Sequence, residues 1–230
     1  MYIGNRKVSP PVKKQRWLKY FAYTLITAII TTSILFEKFF YVAVIVLSVA
    51  TFELVRANFY FEGKGIYRWV FVLLIFGIIA LGFFYFSKTV TAPVQLFVYF
   101  LVFTFDAFSQ ITGQICGRHS LLPNISPSKT VEGLIGGTIF CILSAVLAHN
   151  WINASLSTSI FIGGAIAFTA FCGDMLASYF KRIVKIKDYS NFLPGQGGFL
   201  DRFDSLIMTG AMCYFFLQFV FKEQPYSLLR

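Results

Sequence analysis

Seven apolar segments, near residues 17–36, 39–56, 68–87, 92–114, 132–150, 156–180 and 203–221, leave this 230-residue chain little room for anything else. Each is close to the roughly 20 residues with which an α-helix crosses the hydrocarbon core of a bilayer. A helix satisfies its own backbone hydrogen bonds, as a segment without surrounding water must. The expectation is an all-α polytopic membrane protein with about seven transmembrane helices. Composition agrees: 13% of residues are charged and 57% hydrophobic, whereas a soluble domain is about a quarter charged.

The net charge of +10 would suggest nucleic acid in a soluble protein. Here no basic region stands apart from the apolar segments, so no nucleic-acid partner is expected. The charge instead orients the spans. With the N-terminus cytoplasmic, that side collects Arg6, Lys7, Lys13, Lys14, Arg16 and Lys19, then Arg56, Lys64 and Arg68, then Arg118 and Lys129, and finally Lys181, Arg182, Lys185, Lys187 and Arg202. Sixteen of the twenty Lys and Arg lie there, leaving Lys38, Lys88, Lys222 and Arg230 outside, the skew of the positive-inside rule. The basic stretch before Trp17 runs into a long apolar segment without a small-residue cleavage site, so a retained first span is expected. The four cysteines form no CxxC pair, and neither a disulfide framework nor a zinc site is suggested.

Two long polar connections, 115–131 and 181–202, fall on the cytoplasmic side. The chain thus divides into N-terminal transmembrane helices, 1–115, and a C-terminal transmembrane region, 116–230, carrying both loops, where catalytic chemistry is expected. Six of the ten acidic residues, Asp106, Glu132, Asp174, Asp188, Asp201 and Asp204, gather in or beside the cytoplasmic halves of spans four to seven. Ionisable groups inside a membrane are costly and usually face a partner or a wet cavity. Their clustering at one depth therefore says more than any single acid.

On the sixth span Asp174, Ser178 and Lys181 lie at i, i+4 and i+7, one helical face. A carboxylate, a hydroxyl and an ammonium on one stripe can hold a metal ion and a phosphate together; the bland alternative is a set of interfacial charges snorkelling at a helix end. Pro194, Gly195, Gly197 and Gly198 then form a loop whose backbone can approach a ligand closely. Asp201 and Asp204 follow at i, i+3, a spacing suited to a hard cation such as Mg²⁺, though either could simply cap a helix. In the fourth loop Ser126, Lys129 and Thr130 offer donors for a phosphate near a helix N-terminus, and the same run is also a good helix start. There is no Walker A loop and no HExxH.

The stretch from Ser178 through Lys181-Arg182 and Lys187-Asp188 to Leu193-Pro194-Gly195-Gln196-Gly197-Gly198-Phe199-Leu200-Asp201-Arg202-Phe203-Asp204 resembles the phosphatidate cytidylyltransferase (CDP-diacylglycerol synthase) family. The upstream run Ser126-Pro127-Ser128-Lys129-Thr130-Val131-Glu132-Gly133, extended by Gly136 and Gly137, is similar to that family's S-P-x-K-T-x-E-G stretch. The resemblance implies transfer of CMP from CTP to phosphatidate at the cytoplasmic face of a bacterial inner membrane, giving CDP-diacylglycerol and pyrophosphate. It implies that Asp174, Asp201 and Asp204 hold Mg²⁺, with room for a second cation. Lys181, Arg182 and Lys187 would clamp phosphates. Ser126, Lys129 and Thr130 would line the nucleotide or lipid phosphate site, with Ser178, Gly195, Gln196, Gly197, Gly198 and Arg202 around them. Asp188 and Glu132 would orient the basic groups.

One departure stands out. The family carries His where this chain has Gln196, and glutamine cannot take a proton at neutral pH. An orienting role is expected there, because a phosphate monoester nucleophile is already ionised. Rival readings are a CDP-lipid synthase acting on another lipid phosphate, a catalytically silent relative, and a small cation-coupled transporter using Asp106 and Asp174. A homodimer is compatible with paired glycines such as Gly163-Gly164.

Overall fold

The computed structural model describes residues 13–57, 66–186, 188–190 and 197–220. Among these, seven α-helices run in order: α1 Lys13–Leu35, α2 Phe39–Ala57, α3 Ile66–Thr89, α4 Ala92–Cys116, α5 Val131–Leu147, α6 Leu156–Ile183 and α7 Leu200–Val220. Each coincides with one apolar segment of the sequence. A 3-10 turn, His149–Ile152, joins α5 to α6. Lys187, Gly195 and Gln196 lie outside the described residues.

Among the described residues, four helices are both long and apolar enough to cross a membrane: Phe39–Ala57, Trp69–Thr89, Ala92–Cys116 and Leu156–Ile183. Phe21–Leu35 and Val131–Leu147 are shorter apolar helices. α7 is 21 residues long but opens with Asp201, Arg202 and Asp204. By length and composition alone, then, four of the seven helices are marked as candidate crossings among the described residues. The outward faces are apolar, with Phe71, Leu74, Ile78 and Leu81 exposed along α3 and Phe161 and Phe168 along α6. So much exposed hydrocarbon on helices of span length marks an integral membrane protein.

The helix junctions are built by side chains that satisfy the free ends of helices. Buried Gln95 donates its amide to Val90 O (2.8 Å) and Ser87 O (3.1 Å), closing the end of α3 against the start of α4. Ser155 caps α6 by accepting from Thr158 N (3.2 Å), and Thr130 caps α5 by accepting from Gly133 N (3.1 Å). One buried apolar cluster runs through the bundle, from Ile30 and Ile34 on α1 to Leu206, Ile207 and Ala211 on α7. α4 and α6 pack against each other and each against α5 and α7, α3 lies along α7, and α2 touches both α3 and α7. Gly163 is used inside this packing: a Cβ there would sit 2.9 Å from Ile142 Cα.

The 115–131 connection is not irregular. Ser120–Leu122 (β1) pairs antiparallel with Ser126–Thr130 (β2), and the register irregularity lies between Ser120 and Leu122. Ile125 N donates to Leu122 O (3.1 Å) to close the turn. Glu132 secures the ribbon to α5 by accepting from Arg118 N (3.0 Å) and His119 N (3.3 Å) and pairing with His119 Nδ1 (2.6 Å).

Candidate active site

The acids and bases singled out in the sequence meet where one end of α6 faces the start of α7 and the β1–β2 ribbon. Close helix approach makes this possible. A Cβ on Gly173 would lie 2.7 Å from Asp204 O and 3.1 Å from Ser205 Cα, so only glycine lets α6 and α7 touch there. The next residue, Asp174, is thereby brought within electrostatic reach of Asp204 and of Asp106 on α4. Ser205 reaches across to Asp106 Oδ1 (3.4 Å). Three helices contribute one carboxylate each to this group.

Lys129 comes down from β2 and forms an ion pair with Asp174. Burial penalises its charged ammonium, but Asp174, then Asp106 and Asp204, more than offset that penalty and hold the lysine above its ordinary value of 10.5. This cation is the electrostatic partner of the whole carboxylate group. Part of the pair remains accessible, with side-chain exposures of 34% for Lys129 and 20% for Asp174.

A second pair lies deeper. Lys181 Nζ contacts Asp201 Oδ1 at 2.6 Å, with side-chain exposures of 12% and 7%. The other Asp201 oxygen accepts from Gly198 N (3.0 Å) and Tyr189 N (3.4 Å), and the Tyr189 ring lies 5.7 Å from Lys181 Nζ. Burial first, then the charges of Asp201, Asp204 and Glu53, keep the Tyr189 phenol well above its ordinary value. It stays a neutral donor, bonded to Ala177 O at 3.1 Å. Gly197 has φ +90°, where a side chain is strained, and Asp188 Oδ1 would lie 3.0 Å from a Cβ placed there. At Gly198 a Cβ would meet Asp201 Oδ2 at 2.9 Å. The glycines thus permit the turn that Asp201 closes.

The remaining candidates divide. Ser126 and Ser178 are buried, on β2 and α6 respectively, and Thr130 serves as the α5 cap. Arg182 donates Nε to Ile125 O (2.9 Å) and an Nη to Ile186 O (3.3 Å), so its guanidinium ties the ribbon to the end of α6. Arg202 turns toward α1, donating to the Tyr23 hydroxyl with its guanidinium 5.5 Å from that ring. Three participants are not among the candidate site residues of the sequence. Asp106 is visible there as an acid within a span, but its proximity to Asp204 is not. Tyr189 and Glu53 carry no motif-like spacing.

Of the acids expected to hold Mg²⁺, Asp174 and Asp204 sit in the three-helix group and Asp201 is engaged by Lys181. Hard carboxylate oxygens fit a hard divalent cation. Among the described residues, no group of three or more His, Cys, Asp or Glu side chains stands close enough to enclose one.

The model of the cytidylyltransferase family covers residues 6–220. The chain belongs to this family. It is 35% identical over 129 residues to a protein of Escherichia coli (strain K12) named uncharacterized protein YnbB, a match covering 56% of this chain and 43% of that one. It is 35% identical over 143 residues to a phosphatidate cytidylyltransferase of Staphylococcus epidermidis, covering 60% and 55%. The figures for the Staphylococcus aureus (strain COL) protein of that name are 35% over 144 residues, covering 60% and 55%. This cytidylyltransferase-family chain spans about half the length of the curated relatives it matches.

Proposed function

We propose that this chain transfers CMP from CTP to phosphatidate, releasing pyrophosphate and leaving CDP-diacylglycerol in the membrane. The observation that carries the reading is the pairing of two lysines with aspartates, Lys129 with Asp174 and Lys181 with Asp201, around one end of α6 and α7. The family membership and the similarity to phosphatidate cytidylyltransferases support it. In this reading all seven helices span the bilayer. The N-terminus, the β1–β2 ribbon and residues 181–202 face the cytoplasm, where CTP is found, and the membrane is a bacterial inner membrane.

The chemistry asks little of a general base. A phosphate monoester oxygen of the lipid attacks the α-phosphorus of CTP, a new P–O bond forms, and the bond to the bridging oxygen breaks as pyrophosphate departs. The difficulty is bringing two polyanions together, so positioning and charge neutralisation dominate. Lys129 supplies an ammonium group for which phosphate oxygens compete with Asp174, and Lys181, held by Asp201, places a second positive charge beside it. Asp174 and Asp204 would supply carboxylate oxygens to Mg²⁺, whose charge when bound would shield the phosphates. The lipid tails remain among the apolar helix faces.

The test is transfer by the full chain in detergent or lipid discs, supplied with phosphatidic acid, Mg²⁺ and CTP labelled at the α- or the γ-phosphate. The reading expects α-label in the lipid and γ-label in pyrophosphate. No lipid label under any divalent cation would overturn it. Transfer to a different lipid phosphate but not to phosphatidate would move the assignment to a sister CDP-lipid synthase. Gln196→His should change the rate by less than about tenfold if that position orients substrate, since orienting groups need not ionise.

A further inference from the structure

Glu53 is a buried acid that the transfer chemistry leaves unused. It sits on α2 at 3% exposure, in a helix otherwise composed for hydrocarbon, and an intramembrane carboxylate is retained only where partners hold it. Its partners all lie in the segment leading into α7. Oε1 accepts from Phe199 N (2.9 Å) and Oε2 from Leu200 N (2.7 Å). The Ser190 hydroxyl also donates to Oε1.

These are the free N–H groups at the start of α7, and a helix ordinarily meets them with a side chain from its own first turn. Here the local candidate, Asp201, is turned to Gly198 N, Tyr189 N and Lys181. The cap for Phe199 and Leu200 comes instead from a different helix, 146 and 147 positions away in sequence. One carboxylate thereby holds both Ser190 and the Phe199–Leu200 turn. The direction of that turn sets where Asp201 and Asp204 point. The placement is also tight: a Cβ on Gly198 would lie 3.1 Å from Glu53 Oε2 and 2.9 Å from Asp201 Oδ2.

We infer that Glu53 is a positioning residue for the transfer reaction: by capping α7 from α2, it fixes the first turn that carries Asp201 and Asp204. The inference rests on the proposed function. It assigns the N-terminal helices a part in catalysis, although none of the motif residues lies there.

Two readouts on the full-length protein in lipid discs test it. The first is amide hydrogen exchange over residues 197–204, which needs no activity. Glu53→Gln keeps the shape but replaces one acceptor oxygen by an NH₂ that cannot accept from an amide, so exchange at Phe199 and Leu200 should rise at least about tenfold, the effect of losing an ordinary hydrogen bond. The second readout is kinetic. kcat should fall on the order of 10- to 100-fold, as for a small misplacement of reacting groups, while KM for CTP stays within about threefold, since Glu53 does not touch substrate. Glu53→Asp, which keeps the charge on a shorter arm, should recover part of the lost kcat. Unchanged exchange in Glu53→Gln overturns the inference whatever the activity. So does faster exchange with unaltered kcat, or a loss confined to KM. If the wild-type protein makes no CDP-lipid, the proposed function falls, and the exchange measurement alone then decides whether Glu53 holds the turn.

Discussion

The two lysine–aspartate pairs of the site are chemically alike and physically different. Lys129–Asp174 joins a surface ribbon to α6, remains partly accessible, and faces two further carboxylates, Asp106 and Asp204. Lys181–Asp201 joins α6 to α7, is almost wholly enclosed, and is completed by two backbone N–H groups and the Tyr189 ring. The first can exchange partners with an incoming polyanion at modest cost. The second is a fixed joint, because breaking a buried pair leaves an uncompensated charge. In the proposed function the first pair serves the transfer and the second the architecture.

The largest effect that sharpens this contrast is expected at Asp174 and Asp204. Asn at either should lower transfer by about a thousandfold or more, since charge neutralisation is the main catalytic demand; membrane insertion and thermal stability should be retained. The lysines should then separate. Lys181→Met should destabilise the protein by about 3 to 5 kcal/mol by stranding Asp201, seen as a lower melting temperature in detergent. Lys129→Met should cost less stability than Lys181→Met, because its pair keeps more contact with solvent, yet lower transfer on the order of 100-fold. Equal melting losses in the two variants would erase the distinction between the pairs.

Smaller effects follow at the turn and in the pH profile. Gly197→Ala should cost about 1 to 2 kcal/mol, because the φ of +90° is one an L-residue resists. For Lys129 the sign is definite. Its folded pKa lies above the ordinary 10.5, so its contribution to stability is complete below that value and is lost only as pH rises through the higher folded one. The melting-temperature difference between wild type and Lys129→Met should therefore stay constant between pH 7 and 9, and a difference that shrinks in that window would contradict the assigned pairing.

Much of this arrangement is legible in the sequence alone. The helices are, because a membrane admits only self-satisfied segments and their apolar length is hard to conceal. Asp174, Lys181, Asp201 and Asp204 are, through spacing and through resemblance. The β1–β2 ribbon is not: strands of three and five residues leave no periodicity to read, and the serine, proline and lysine between the apolar segments look like any polar loop. The directions of Arg182 and Arg202 are equally hidden, since a sequence reports a long side chain's charge and not its reach. Glu53 is the plainest case. Its partners lie 137 to 147 positions away, and the contact exists only because α2 packs beside α7.

Whether the three-helix carboxylate group carries the transfer is the question on which everything else depends. Wild-type protein and Asp204→Asn, both confirmed as membrane-inserted, would be given α-labelled CTP, Mg²⁺ and phosphatidic acid, and labelled CDP-lipid would be counted. The prediction is steady product from wild type and a loss of about a thousandfold in the variant. Product formed at the wild-type rate by Asp204→Asn would contradict it.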